Sequence, residues 1–245
     1  MSPLKSLTAA ALLSSAAFTV NAATLYSEDF TGQLLQGFTG PVAGGTTFTA
    51  PNGQWTVTAA ATQGLFDAND HARVENDFVN FPVATIDLAG NEHFQWRDVD
   101  EPATWRTTPV DISNATDLNI SFDYFEVGNF ESTDTFSAAY SIDGGATFVS
   151  LISLINDFSD FNGNGSSDSN QPLQRINTLN SVIPDGTSFI LEVVADVNTS
   201  GELVGLDNVV LSGTVGAGGP APIPLPATLP LLLAGLGGLV LARRR

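Results

Sequence analysis

The stretch Leu118-Asn119-Ile120-Ser121-Phe122-Asp123-Tyr124 places an apolar side chain at every second position. Successive side chains of an extended strand point to opposite faces, so this spacing predicts a strand with one buried and one solvated face. The same alternation runs through residues 136–142, and Asp143-Gly144-Gly145 follows at once. Glycine supplies the positive φ angles of a tight hairpin, so we expect the chain to turn here and return through 148–151.

Similar short segments recur along the chain, and no sustained period of 3.6 residues is apparent. They are bounded by Gly, Asn, Asp and Pro, the residues that dominate turns. Many short strands separated by such turns are typical of sandwich folds. The sequence therefore predicts an all-β fold, a two-sheet antiparallel sandwich (jelly roll), with further strands at 24–30, 54–59, 81–88, 107–112, 188–195 and 207–212.

The charge distribution separates an acidic body from two apolar ends. The 245 residues include 8 Lys+Arg and 26 Asp+Glu, for a formal net charge of −18. All 26 acids lie at 28–207, where four arginines oppose them, so this span carries −22. A body without a stripe of basic residues cannot neutralise phosphates, which excludes a nucleic-acid binder. The absence of cysteine excludes a disulfide scaffold, a thiolate zinc site and a cysteine nucleophile.

The first 22 residues have the pattern of a secretory signal peptide. Lys5 precedes an apolar run at 7–20, and Asn21-Ala22-Ala23 supplies the small residues of a cleavage site. Residues 23–215 are then the exported domain. A Gly/Pro linker at 216–224 follows, and this composition does not form a regular helix or a central strand.

The chain ends in an apolar segment with three arginines at its tip. Residues 225–242 carry no charge, and 18 residues are at the short end for a helix that crosses a hydrocarbon core of roughly 30 Å. The positive-inside rule leaves the terminal arginines in the cytoplasm and the acidic body outside; these arginines are Arg243, Arg244 and Arg245.

This tail resembles the PEP-CTERM class of bacterial sorting signals, in the variety with a V-P-L-P-A box. Ile223 replaces the usual valine, and the rest of the box is present as Pro224, Leu225, Pro226 and Ala227. The resemblance implies recognition by an exosortase-type membrane transpeptidase, a single-span intermediate in the inner membrane, and removal of the helix. Delivery to the cell surface or extracellular matrix of a Gram-negative bacterium would follow. The alternative is a permanent single-span anchor.

The body resembles the secreted bacterial jelly-roll modules related to the MAM and concanavalin-like groups. The similar segments are YSEDF, WRTTPVDIS, FDYFEVGNFESTDTF, YSIDGG and ELVGLDNVVLSG. The resemblance implies an antiparallel sandwich, often with bound calcium, that acts in adhesion or ligand binding. It also implies that an acid of the first strand, Glu28 or Asp29, meets Asp207 of the last strand at one metal ion.

Two further groups of oxygen ligands are candidates for holding calcium as a structural ion. Asp98 and Asp100 are two residues apart and face the same way on an extended segment. A loop has the spacing of an EF-hand without its final acid, and its ligands would be Asp160, Asn162, Asn164 and Asp168. A solvated acidic rim and a Gly/Asn/Ser-rich loop without metal explain the same residues.

Signals for catalysis are weak. Glu126, Glu131 and Asp134 lack the spacing that would put three acids on one face of a strand, as a glycosidase of this architecture needs. The two histidines, His71 and His93, are expected to be exposed and polar. No nucleophile elbow, P-loop or dinucleotide-binding glycine pattern is present, so no catalytic residue is assigned.

Trp96 is the aromatic residue that we expect to contact a sugar, because it lies in the polar stretch 92–101. The sequence therefore favours a non-enzymatic, exported module for adhesion or glycan binding, with extracellular polysaccharide as its partner. A secreted polysaccharide-acting hydrolase and a purely structural matrix protein are the alternatives.

Overall fold

The alternating stretch at 118–124 forms the middle of the longest strand in a computed structural model of the protein, which describes residues 21–61, 67, 70–76, 91–128, 130, 133–155, 173–198 and 201–215. No helix long and apolar enough to cross a membrane occurs within these ranges. They contain fourteen strands: β1 Asn21–Glu28, β2 Gly37–Thr39, β3 Thr47–Thr49, β4 Trp55–Ala59, β5 His71–Glu75, β6 His93–Arg97, β7 Val99–Thr107, β8 Val110–Asp111, β9 Ala115–Gly128, β10 Thr135–Ser141, β11 Val149–Ile155, β12 Leu173–Val182, β13 Ser188–Val197 and β14 Leu203–Val215.

The strands form two antiparallel sheets, which confirms the predicted two-sheet sandwich. The first sheet has the order β12-β9-β14-β6-β5-β2, and β1 also pairs with β14. The second sheet has the order β11-β10-β13-β7-β4-β3, and β8 also pairs with β13. Strand β14 is long enough to serve two partners on one side. Residues 203–206 pair with β6, and residues 209–215 pair with β1.

The hydrophobic core lies between the two sheets and is rich in aromatic rings. All three tryptophans, Trp55, Trp96 and Trp105, are completely buried there. Phe30 and Phe94 pack among them with ring centroids 5.3–6.1 Å apart. Burial of such large apolar side chains is the main force that holds the sheets together.

The predicted hairpin is confirmed, whereas one predicted strand is interrupted. Gly144 and Gly145 have φ angles of 75° and 94° between β10 and β11. Residues 107–112 do not form one strand, because Pro109 lacks an N–H donor and separates β7 from the short β8. The predicted strand at 81–88 lies outside the described residues.

Candidate functional site

The outer face of the first sheet carries a concentration of polar side chains. In β5, Ala72 and Val74 belong to the core, so the residues between them point outward; β6 alternates in the same way around Phe94 and Trp96. Pairing in register places these side chains side by side and continues them onto β14 and β9. We call this set the polar face: His71, Arg73, Glu75, His93, Gln95, Arg97, Asp123 and Asp207.

A chain of hydrogen bonds runs through the middle of the polar face. His71 Nε2 lies 2.7 Å from Gln95 Oε1, and Gln95 Nε2 lies 3.3 Å from His93 Nε2. With the Gln95 amide donating to His93 Nε2, His93 Nδ1 donates to the Asn91 carbonyl at 3.0 Å. These three side chains are buried, so the expectation of exposed histidines is wrong. Buried polar groups that satisfy one another hold a fixed arrangement.

Arg73 extends the polar face toward solvent. Its Nε donates to Glu75 Oε1 at 2.5 Å, and another of its guanidinium nitrogens donates to the Thr39 hydroxyl. Glu75 is buried, whereas Arg73 is half-buried. The guanidinium is therefore fixed by a buried acid while part of it stays accessible, as is expected of a group that binds a ligand.

The Phe125 ring lies over Gly205 of the neighbouring strand, beside this hydrogen-bonded chain. A Cβ atom placed on Gly205 would come within 1.8 Å of Phe125 Cζ, so the ring occupies the space over that glycine. The same ring meets His93 edge to face, with centroids 4.8 Å apart. Neither Phe125 nor Gly205 was identified from the sequence as part of a site.

Asp207 ends one row of the polar face in a cluster of acids and amides. Its carboxylate accepts hydrogen bonds from Asn91 Nδ2 and the Asn208 backbone N–H, both at 2.7 Å. Burial raises the pKa of Asp207 to about 6, and the charges of Asp123 and Asp29 act in the same direction. A carboxyl group with this pKa changes its charge close to neutral pH.

Asp29, but not Glu28, lies where its charge acts on the Asp207 carboxyl group. Glu28 pairs with Val209, which is in the core, so its side chain points between the sheets, whereas Asp207 points outward. There the Glu28 carboxylate accepts hydrogen bonds from the Phe30 N–H at 2.8 Å, Gln33 Nε2 at 2.6 Å and Asn52 Nδ2 at 3.1 Å. Glu28 therefore closes one end of the core, and the prediction that it shares a metal with Asp207 is wrong.

Asp98 joins a different group of acids, at the far end of β6. Carboxylate oxygens of Asp67, Asp70 and Asp98 lie within 4.8 Å of one another. Burial, with the charges of Asp67 and Asp98, raises the pKa of Asp70 to about 7, and the pKa of Asp98 is also raised by burial, by Asp67 and by Asp100. We call Asp67, Asp70 and Asp98 the acidic triad.

The acidic triad and Asp207 are separate places. Asp98 follows Arg97, which pairs with Leu203, so five residues of strand, or about 17 Å, separate it from the level of Asp207. Glu28, Asp98, Asp100 and Asp207 therefore do not converge on one ion. Asp67 and Asp70 were not identified from the sequence as ligands. The available signal was their position just before β5, because β5 pairs with β6, the strand that Asp98 follows.

Trp96 does not form a sugar-stacking platform. It is completely buried, and its indole N–H donates to the Ala103 carbonyl at 3.0 Å, so that prediction is wrong. Two other predicted sets lie outside the described residues: the loop ligands Asp160, Asn162, Asn164 and Asp168, and the sorting residues Pro224, Leu225, Pro226, Ala227, Arg243, Arg244 and Arg245.

No family model matches this chain, and no curated protein matches its sequence. Solved structures resemble it at low identity. A carbohydrate-binding module of Caldicellulosiruptor saccharolyticus in complex with mannohexaose is 13% identical, with 79% of this chain and 97% of that one covered and a TM-score of 0.38. The K3 adhesin domain of Lys-gingipain from Porphyromonas gingivalis is 12% identical, with 77% and 98% covered and a TM-score of 0.39.

A second carbohydrate-binding module, in complex with β-1,4-galactotriose, is 10% identical, covers 57% of this chain and 80% of its own, and has a TM-score of 0.35. With identities and TM-scores this low, the function has to be argued from the residues of this chain.

Proposed function

We propose that this domain binds an extracellular polysaccharide through the polar face, without catalysing a reaction. The observation that supports the proposal is the buried hydrogen-bonded chain of His71, Gln95 and His93, which lies on the same face as the half-buried Arg73 and Arg97. The hydrophobic core of a two-sheet sandwich lies between the sheets, so the fold does not require a buried polar array on an outer face. The buried chain holds this face in a fixed arrangement, and the accessible parts of Arg73 and Arg97 would donate to sugar hydroxyl groups.

Recognition would depend on hydrogen bonds rather than on stacking against aromatic rings. The exposed large apolar side chains of the described residues are all aliphatic, and the three tryptophans are in the core. Arg73 offers guanidinium N–H groups that Glu75 and Thr39 hold in place, so little side-chain entropy is lost when a ligand binds.

Arg73→Ala is expected to weaken polysaccharide binding by about ten- to a hundredfold, because a lost hydrogen bond to a charged group costs about 1.5–3 kcal/mol. Isothermal titration calorimetry with soluble galactan, mannan, xylan and glucan measures the effect. Arg106→Ala is the matched control, since Arg106 forms a similar ion pair with Glu192 on the second sheet. Equal losses in the two variants, or binding by neither variant nor the parent chain, would contradict the proposal. Release of reducing ends during the titration would favour the hydrolase.

We further propose calcium as a structural ion at the acidic triad. Three carboxylate oxygens within 4.8 Å of one another support this site. The pKa values of Asp70 and Asp98 are raised, and repulsion between the neighbouring carboxylates contributes to both shifts. Calcium takes several oxygen ligands at about 2.3–2.6 Å, and its positive charge would neutralise the repulsion between these carboxylates.

Calcium is expected to raise the melting temperature by several degrees at neutral pH, and the chelator EDTA to reverse the rise, because an ion that binds only the folded state stabilises it. Differential scanning calorimetry measures the shift. Asp98→Asn should abolish it, whereas Asp117→Asn, which alters an exposed aspartate away from the triad, should preserve it. A calcium-induced shift that survives in Asp98→Asn would argue against this site.

We also propose that the chain is exported by its signal peptide and sorted by an exosortase-type enzyme. The support is the sequence itself: the apolar run at 7–20, the box at 223–227 and the arginine tip. Sorting predicts that the mature protein, isolated from the producing cell's surface or matrix, lacks both residues 1–22 and the apolar tail. Mass spectrometry of that protein tests this, and a mature chain that still ends at Arg245 would favour a permanent anchor.

A further inference from the structure

A tight turn beside the polar face has a leucine at a position whose backbone conformation is usually adopted by glycine. The Gln36 N–H donates to the Gln33 carbonyl at 2.9 Å, which closes a four-residue turn whose third residue, Leu35, has a φ of 66°. Leu35 and Gln36 both bond to Val74 of β5, so two residues oppose one, as in a β-bulge. Glycine is the usual residue at this position of such a turn and bulge, because its φ is positive.

Leu34 and Leu35 are also exposed, by 42% and 59%. Among the described residues they are the two exposed large hydrophobic side chains that adjoin in the chain; Val149 and Val182 stand apart. A leucine with positive φ is strained relative to glycine, because its Cβ comes too close to the following carbonyl oxygen. Leu35 therefore gains neither favourable backbone geometry nor extensive burial, so the demands of folding do not account for it.

The turn has a rigid base. Gln33 is buried, its Nε2 donates to Glu28 at 2.6 Å, and its Oε1 accepts the Trp55 indole N–H at 2.8 Å. The Gln33 backbone N–H donates to Glu92 Oε2 at 2.7 Å. These bonds connect the turn to β1, β4 and the start of β6, so the two leucines project from a fixed support.

We propose that Leu34 and Leu35 form the apolar contact surface for a sugar ring at the edge of the polar face; this rests on the proposed function. The Leu35 N–H bonds to Val74, the residue between Arg73 and Glu75 of the polar face, so the two surfaces adjoin. A pyranose ring has an apolar C–H face and hydroxyl groups at its edge. Binding sites for such ligands combine an apolar contact with a few convergent polar groups.

The turn fits a neutral polysaccharide better than an anionic one or a protein. Glu92 lies beside the turn, and Glu75 already neutralises Arg73, so no cation is left unopposed there for a uronic acid. The net charge of −22 on residues 28–207 would further repel an anionic polymer. A stable protein interface buries roughly 800 Å² on each partner, of which two aliphatic side chains provide only a small part. The occupant is therefore a chain of neutral sugars.

The test compares Leu34→Ser/Leu35→Asn with the parent chain, each as the full chain in a sugar-free detergent. Asparagine adopts positive φ more readily than leucine, so the melting temperature should stay the same or rise. Calorimetric titration with galactan, mannan, xylan and glucan should show at least a tenfold weaker affinity. Val182→Thr, at an apolar side chain that is 78% exposed, serves as the control and should bind like the parent.

Each outcome decides between the two proposals. Undiminished binding by Leu34→Ser/Leu35→Asn overturns the role of the leucines and leaves the polar face standing. A lower melting temperature assigns the leucines to stability instead and also overturns it. A parent chain that binds alginate or polygalacturonate but none of the neutral polymers overturns the neutral ligand class. A parent chain that binds no polysaccharide overturns the proposed function, and this inference with it.

Discussion

Replacement of Gly205 by alanine is expected to lower the free energy of unfolding by about 3 kcal/mol. The added methyl group would lie 1.8 Å from Phe125 Cζ and 2.3–2.4 Å from two neighbouring ring atoms, closer than any two such atoms can approach. Phe125 is 2% exposed, so its ring has to leave a buried position and its edge-to-face contact with His93. Loss of the burial of a phenylalanine accounts for most of the expected cost.

A double-mutant cycle separates this clash from a general intolerance of β14 to substitution. Phe125→Ala alone is expected to cost about 3–5 kcal/mol, because it leaves a cavity. In the Gly205→Ala background the same substitution should cost only about 1–2 kcal/mol, since the ring has already been displaced, which gives a coupling of about 2–3 kcal/mol. Urea denaturation followed by fluorescence measures all four free energies.

Gly201→Ala is the matched control, because a Cβ at Gly201 meets no atom within 4 Å and this glycine lies just before the same strand. Its free energy of unfolding should change by no more than about 0.5 kcal/mol. Additive costs for Gly205→Ala and Phe125→Ala would show that the ring does not lie where the structure places it. The polar face would then lack the support that Phe125 gives to His93.

The fold could be predicted because its strongest signals are local. Alternation at 118–124 and 136–142 needs only neighbouring residues, and the positive φ angles of Gly144 and Gly145 follow from the residue type. The same alternation is present in 71–75 and 93–97, which are not among the predicted strands; the two histidines there were expected to be exposed. Those two strands carry most of the polar face.

The candidate site depended on relations that a sequence pattern does not contain. Strand β6 reaches the polar face by pairing with β14, more than a hundred residues away along the chain. Asp67 approaches Asp98 although 31 positions separate them in the sequence. The sequence left open whether Glu28 or Asp29 meets Asp207, because a strand's facing depends on register and a one-residue change reverses it. The irregularity between Asp207 and Val210 is such a change.

The stability of the domain is expected to increase as the pH falls from 7.5 to 5, which is opposite to the usual behaviour of paired carboxylates. Burial raises the pKa of Asp70 to about 7 and the pKa values of Asp196 and Asp207 to about 6, whereas the ordinary value for aspartate is 3.8. Between these limits the folded chain binds protons that the unfolded chain does not. The free energy of unfolding must therefore fall as the pH rises through this range.

Two other aspartates act in the opposite direction, but only in stronger acid. Hydrogen bonds from Thr147 and Ser141 lower the pKa of Asp143, and hydrogen bonds from Ser113 lower the pKa of Asp111. These groups lose their stabilising charge below about pH 4, the ordinary range of an aspartate. Stability should therefore pass through a maximum between roughly pH 4 and 5.

Melting temperatures from pH 3 to 8 in EDTA measure this profile, because the chelator removes any metal from the acidic triad. The rise toward pH 5 should be at least about 5 °C, since a tenfold change in proton affinity is worth about 1.4 kcal/mol and 1 kcal/mol shifts the melting temperature by roughly 2–4 °C.

Asp196→Asn removes one carboxyl group whose pKa is raised, so it should stabilise the folded chain at neutral pH and flatten the profile. Asp185→Asn, at an exposed aspartate, should leave the profile unchanged. A melting temperature that is constant or falls between pH 7.5 and 5 would mean that these carboxyls are hydrated in the folded chain, and the repulsion that argues for calcium at the acidic triad would lose its basis.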